Sequence, residues 1–472
     1  MTLVAVAARD ASPAEKAGAD LVCDGRTDLA VLARAVAVPD REVVLSAGRY
    51  NANGGRAPDG TRCLRPAEGV IVRGAGPGLT RLVAEESPCR IAVDAPGVTL
   101  ANLGGYGYVG IQDTADRFSC EDVYLAHSLD GRTYLPFGKK GGCTAAFMAW
   151  SRKGRTLRHL TFRRCTAERS YHHGFSLNLA GASEGGGFAD VLYDQCHAIG
   201  AGSGLEGMNG VPGVRDWSCG FDIPDAGDIA RLTVRDCQAI DCWQDGFHLD
   251  GSWDGHRQRA VAVLFERCRA VDCGRRSGTV PTELYQSGFY MQSARLVDCE
   301  AERCKKAGFL AKNHEPGTLA LERCRDLGSA YSFVIEYGGV GAVLRACVSD
   351  GATRRALQAT ASGASIDLEV RRFSGAGRPV LVGITERLEF VDAPGHTADL
   401  NGPKYRQAAR PFSGALVLGV EQLAPIEALV EVHPPSVRLV DLSAAVVRVL
   451  PGLPDGAPPY PLAAAGPGEA GA

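Results

Sequence analysis

Five ionisable residues, Asp222, His248, Asp250, Tyr290 and Lys312, stand at fixed offsets from a recurring phenylalanine. Gly-Phe recurs at Gly174-Phe175, Gly220-Phe221, Gly246-Phe247, Gly288-Phe289 and Gly308-Phe309, with Ser332-Phe333 as a looser copy. If each phenylalanine points inward from a strand, the next residue and the third after it point outward. The first outward column is then Ser176, Asp222, His248, Tyr290, Leu310 and Val334. The second is Asn178, Pro224, Asp250, Gln292, Lys312 and Glu336. A histidine or tyrosine opposite a lysine, with carboxylates nearby, suits removal of a proton beside a carboxylate or carbonyl. His248 or Tyr290 would act as base or acid, and Lys312 would steady the charge of the enolate. Asp222 and Asp250 complete this catalytic set. His173, Ser176, Asn178, Asp245, Trp217, Trp253, Gln292 and Glu336 are the expected substrate contacts. Aspartates among Asp222, Asp245 and Asp250 would instead suit glycoside hydrolysis, which needs two carboxyls facing each other about 5 to 9.5 Å apart.

Such columns require stacked strands, and a second repeat supplies them. An apolar-x-x-Cys pattern recurs at Cys165, Cys196, Cys237, Cys268, Cys299, Cys324 and Cys347, and alanine stands two residues after each of the first five. Cysteine and Gly-Phe alternate strictly, and the apolar spacing within each unit has a period of two. Each turn therefore holds at least two short strands, and like strands of successive turns stack in parallel about 4.8 Å apart. Two residues before the cysteines stand Arg163, Asp194, Arg235 and Glu266, whose alternating charge would form a ladder across turns.

These "GF-x-L … V-x-x-C-x-A" turns resemble the right-handed parallel β-helix of the pectate lyase-like superfamily. The expected fold is all-β, a right-handed parallel β-helix solenoid with a short N-terminal capping helix over Asp28–Val38. The expected organisation is an extension over 1–18, the β-helix with its cap over 19–390, C-terminal capping strands over 391–450 and a disordered Pro/Gly/Ala-rich tail over 451–472. The resemblance implies a groove for a carbohydrate or an acidic small molecule, and a lyase, an isomerase or epimerase, or a glycoside hydrolase. A non-catalytic carbohydrate-binding or tail-spike-like protein is the remaining class. None of the polygalacturonase-type hydrolase motifs is intact. Asp222, Asp245 and Asp250 could offer oxygen ligands to calcium, but no diagnostic spacing for a metal is present.

Composition fits one large domain. The 472 residues are 45% hydrophobic and include 59 glycines, enough for a bend every few residues. A net charge of −3 gives no reason to expect a nucleic-acid surface. No apolar run is long enough to span a membrane, and the first residues lack a basic leader. Sixteen cysteines at the coil period read as buried free thiols, which points to a reducing, cytoplasmic setting. Insertions before and after the Gly-Phe strands would wall a groove over the outward columns.

Overall fold

A computed structural model describes residues 2–52, 56–57, 59–60, 63–83, 89–127, 145–152, 154–179, 186–203, 218–223, 228–249, 260–275, 286–312, 319–336, 342–359, 362–375, 380–382, 413–420, 429–432, 436–443 and 446–449. They fall into two compact units. The first holds the described residues up to 242 with 260–261, and the second holds 243–249 and those from 262 onward. Each is a right-handed parallel β-helix. Among the described residues no helix is long and apolar enough to cross a membrane.

In the first unit a turn carries three strands. Thr156–Arg163, Thr166–Glu168 and Phe175–Leu179 pair in parallel with Gly187–Asp194, His197–Ile199 and Phe221–Ile223. In the second unit Arg295–Val297, Glu300–Glu302 and Ala307–Lys312 pair with Ala320–Glu322, Arg325–Leu327 and Tyr331–Glu336. The repeat cysteine thus sits at a corner between two strands. Inside the first unit Phe147, Phe175 and Phe221 stack with centroids 4.8 Å apart. Inside the second, Phe247, Phe289, Phe309 and Phe333 stack at 4.8 to 5.0 Å. Each ring is buried, which contributes about 2–3 kcal/mol, and each stacked pair adds about 0.5–1.5 kcal/mol. All fifteen described cysteines are free and buried. Burial pushes the Cys89 thiol up to about 12, far from a reactive thiolate at neutral pH.

The three sequence columns meet at one corner. A Cβ built on Gly246 would lie 2.7 Å from the Gly288 carbonyl oxygen, 2.9 Å from the Ala270 Cβ and 3.1 Å from the Cys273 sulfur. Only glycine clears the next turn's backbone there, and alanine takes the position facing it at Ala270 and Ala301. The repeat of Gly-Phe and that of Cys-x-Ala are therefore two sides of one contact.

The residue before each repeat cysteine is left-handed, although none is glycine: Arg164, Gln195, Asp236, Arg267, Asp298, Arg323 and Ala346 have φ between 49° and 55°. An ordinary side chain gives up about 1–2 kcal/mol in that conformation. Some of this is offset by cross-turn pairing, as where Arg323 donates to both Asp298 oxygens at 2.7 and 2.8 Å. The first three members of the expected charge ladder pair: Asp194 accepts from Arg235 at 2.8 and 3.0 Å and lies 3.7 Å from Arg163. Ala346 is exposed and has no such side-chain compensation. Replacing it with glycine should therefore stabilise the second unit by about 0.5–1 kcal/mol, after the added unfolded-state entropy is subtracted. A urea midpoint at or below that of the wild type would refute this.

The ends differ from expectation. Thr2–Ala7, assigned to an extension, pairs in parallel with Arg41–Leu45 and begins the coil, unmarked by either repeat. The strands beyond 391 do not cap the coil but continue it: Ser413–Val420 pairs in parallel with Ser362–Arg371 and with Ser436–Ser443. Leu429–Val432 pairs likewise with Val380–Val382 and Val446–Val449. The tail over 451–472 lies outside the described residues. The helix spans Asp28–Val36, and Asp28 at its start accepts the backbone N–H groups of Gly25 and Asn51, both at 2.7 Å.

Candidate functional site

The outward columns are aligned as the Gly-Phe register requires. In the first unit Ser176 faces Asp222. In the second, His248, Tyr290, Leu310 and Val334 follow one another across successive turns. What the sequence did not disclose is how deeply these side chains are buried: Ser176, His248 and Tyr290 are each 1% exposed and Asp222 9%. Alternation along a strand says which face a residue takes, and says nothing about what lies over that face. A second column, two residues before each phenylalanine, joins the first: His173 and Cys219 in the first unit, Asp245 and Ser287 in the second. Cys219 and Ser287 were missed, because the intervening glycine bend hides their side from a count of alternation.

In the first unit Ser176 donates its hydroxyl to Asp222 Oδ2 at 2.9 Å. The Cys219 backbone N–H donates to His173 Nδ1 at 3.2 Å, so the proton of neutral His173 sits on Nε2, 3.7 Å from the same Asp222 oxygen. Neighbouring His172 packs edge-on against His173 at 4.2 Å, and burial holds its pKa well below the ordinary value, keeping it neutral. Two strands away lies Trp150, which is partly exposed. Its ring covers Gly110 on the outer face; a Cβ there would come within 2.6 Å of it. Through Met148 and Ser176, Gly110 belongs to the same outward column as Asp222. Gly110, beneath the Trp150 ring, lies three strand spacings, about 14 Å, from Asp222 on that face.

In the second unit Asp245 Oδ1 accepts both the backbone N–H and the hydroxyl of Ser287, each at 2.7 Å. Its other oxygen lies 2.9 Å from His248 Nδ1. A carboxylate can only accept, so Nδ1 carries a proton. The His248 ring stacks on Tyr290 with centroids 4.6 Å apart and 25° between planes. Tyr290 in turn packs with Ala307, Leu310, Tyr331 and Val334, and Gln292 donates to its hydroxyl at 3.4 Å. Asp245 thus has both oxygens engaged, one of them by a histidine, and the Tyr290 ring packs against that histidine. Lys312, Asn178 and Glu336 lie on strands, but their side chains are outside the described residues, as are Asp250, Trp217 and Trp253 altogether.

His173, Cys219 and Asp222 bring possible metal-ligating atoms within 4.8 Å of one another. A histidine that binds a metal through Nε2 needs Nδ1 as a donor. Here Nδ1 accepts, so the cluster as built does not suit a metal.

Comparison with solved structures finds catalytic domains of GH87 alpha-1,3-glucanases. One, in complex with nigerose, has 11% identity and a TM-score of 0.45, with 91% of this chain and 67% of that one covered. Another, with tetrasaccharides, has 10% identity and a TM-score of 0.43, with 85% and 64% covered. The Agl-KA catalytic domain has 11% identity and a TM-score of 0.37, with 90% and 66% covered. The chain spans about two thirds of the length of these domains. At this identity the likeness is one of fold. No protein-family profile and no curated protein matches the chain. The expectation of a lyase or isomerase is corrected, because the catalytic domains found with this architecture are glycoside hydrolases.

Proposed function

We propose that this chain hydrolyses glycosidic bonds in an oligosaccharide, with Asp222 as the carboxylate that attacks the anomeric carbon or activates the water that does so. The observation that carries this reading is the outer face of the first unit. There a carboxylate supplied with a Ser176 hydroxyl bond shares a face with Trp150, a flat aromatic surface able to stack on a sugar ring. About 14 Å of strand stack separates the ring's seat on Gly110 from Asp222, which leaves room for an oligosaccharide to touch both. A setting rich in reduced thiols agrees with a cytoplasmic location and a short glycan as substrate.

The test is incubation with a panel of oligosaccharides, α-1,3-linked glucans first, in ¹⁸O-water, with products followed by mass spectrometry and anomeric proton NMR. New reducing ends carrying ¹⁸O are expected. An unsaturated product, or no cleavage of any glycan, would defeat the reading. Trp150→Ala should raise KM about tenfold, the loss of one stacking contact, with kcat nearly unchanged. A fall in kcat at constant KM would remove Trp150 from substrate binding.

A further inference from the structure

One ion pair of the first unit is unevenly buried. The Asp113 side chain is 4% exposed and that of its partner Arg152 is 66% exposed. Arg152 Nε donates to Asp113 Oδ2 at 2.9 Å and Nη2 donates to Oδ1 at 3.0 Å, so one edge of the guanidinium is held in a two-bond clasp. An ion pair at a protein surface adds little to stability, too little to explain why the carboxylate is taken out of water. What the pair does is pin an exposed cation. Nη1 and the second Nη2–H, which donate to nothing among the described residues, form a planar fork of donors.

The backbone beside that arginine is held too. Ser151, 1% exposed, accepts the Gly187 N–H at 3.1 Å and donates to the Arg155 carbonyl at 3.0 Å, while the Arg155 N–H closes a turn onto the Arg152 carbonyl at 3.0 Å. Since Ser151 points inward, alternation sends Trp150 and Arg152 outward together, about 6.5 Å apart along the chain. The Trp150 ring lies over Gly110, three residues before Asp113. An aromatic face and a fixed fork of donors thus stand side by side on one face of one unit, and both reach solvent.

We propose that Trp150 and Arg152 form a subsite for a neutral sugar, in which the indole takes the ring face and the guanidinium fork donates to two adjacent hydroxyl oxygens. Asp113 is the positioning residue. That the ligand is a sugar rests on the hydrolytic reading above; that it is neutral does not. The charge of Arg152 is already balanced by Asp113, so a carboxylate brought to the fork would also meet the charge of that aspartate, whereas a pair of hydroxyls needs only donors. A neutral hexose is therefore favoured over a uronate.

The test is stopped-flow tryptophan fluorescence of the full chain, read before turnover, with a neutral α-1,3-linked gluco-oligosaccharide and with one of equal length carrying glucuronate. Wild type should bind the neutral ligand more tightly. Arg152→Met should weaken that binding about 10- to 100-fold, the loss of hydrogen bonds from a charged donor. Arg152→Lys, which keeps the charge and loses the fork, should lose as much. Asp113→Asn leaves the guanidinium charge unbalanced, so the neutral ligand should weaken, the glucuronate ligand should tighten, and the preference should reverse. A purely structural ion pair would leave that preference where it was. Tighter binding of the glucuronate ligand by wild type, or binding of neither, overturns the subsite without any variant having to fold. Undiminished binding of the neutral ligand by Arg152→Met or Arg152→Lys overturns the role of the fork. If the neutral ligand binds as expected and is never cleaved, the hydrolytic reading fails alone and the subsite stands.

Discussion

Asp222→Asn should lower glycan hydrolysis by about 10²–10⁴-fold and leave the circular dichroism and unfolding midpoint close to those of wild type. The asparagine oxygen can still accept the Ser176 hydroxyl at the distance seen for Asp222, 2.9 Å, so the side chain should stay in place. What it loses is the charge, and with it the capacity to attack an anomeric carbon or take a proton from water. Ser176→Ala provides the scale for mere positioning. It removes one hydrogen bond, worth about 0.5–1.5 kcal/mol, and should cost about tenfold in rate at most. If both variants lose the same modest factor, Asp222 is a structural acceptor and the chemistry lies elsewhere. Rescue of Asp222→Asn by azide or formate, with a changed anomeric product, would distinguish a nucleophile from a base.

The alignment of these residues could be read from the sequence, and their setting could not. Phenylalanine marks an inward position without ambiguity, so a count of two fixed the column of Ser176 and Asp222 and that of His248 and Tyr290. The same count fails across Gly174, Gly220, Gly246 and Gly288, where the chain bends. That is why Cys219 and Ser287 escaped notice. The left-handed residues before each cysteine were also illegible, since arginine and alanine rarely adopt that conformation. The stack of turns imposes it through bonds such as Arg164 N–H to the Asp194 carbonyl at 2.9 Å. Thr2–Ala7 carries neither marker, and only its pairing with Arg41–Leu45 discloses its place.

One clue lay in the alanine column that ends at Ala301. The next residue in register is Asp326, then Ser349, so a carboxyl enters a position that faces the interior. Asp326 is fully buried. Its Oδ2 accepts from the Ser332 hydroxyl at 2.6 Å and the Ser329 N–H at 3.3 Å, while Oδ1 has no hydrogen-bond partner among the described residues. The glycine of the Gly308-Phe309 pair leaves it room, since a Cβ there would come within 2.2 Å of Oδ1. Burial pushes the Asp326 carboxyl up to about 7, with the negative charge of nearby Asp350 adding to it; Asp350 is itself paired with Arg325 at 3.0 Å. The folded chain therefore keeps a proton that the unfolded chain releases near pH 4. Between these two values the native state binds more protons than the unfolded state, so stability falls as pH rises and levels off above about 7. From pH 5 to pH 8 the loss should be about 3 kcal/mol. Asp326→Asn cannot ionise. Urea denaturation of the second unit should show the variant gaining that amount on wild type across the interval, whatever its constant offset. A difference between the two proteins that does not change with pH would mean that Asp326 is ionised in the folded state, its charge met by the surrounding serines.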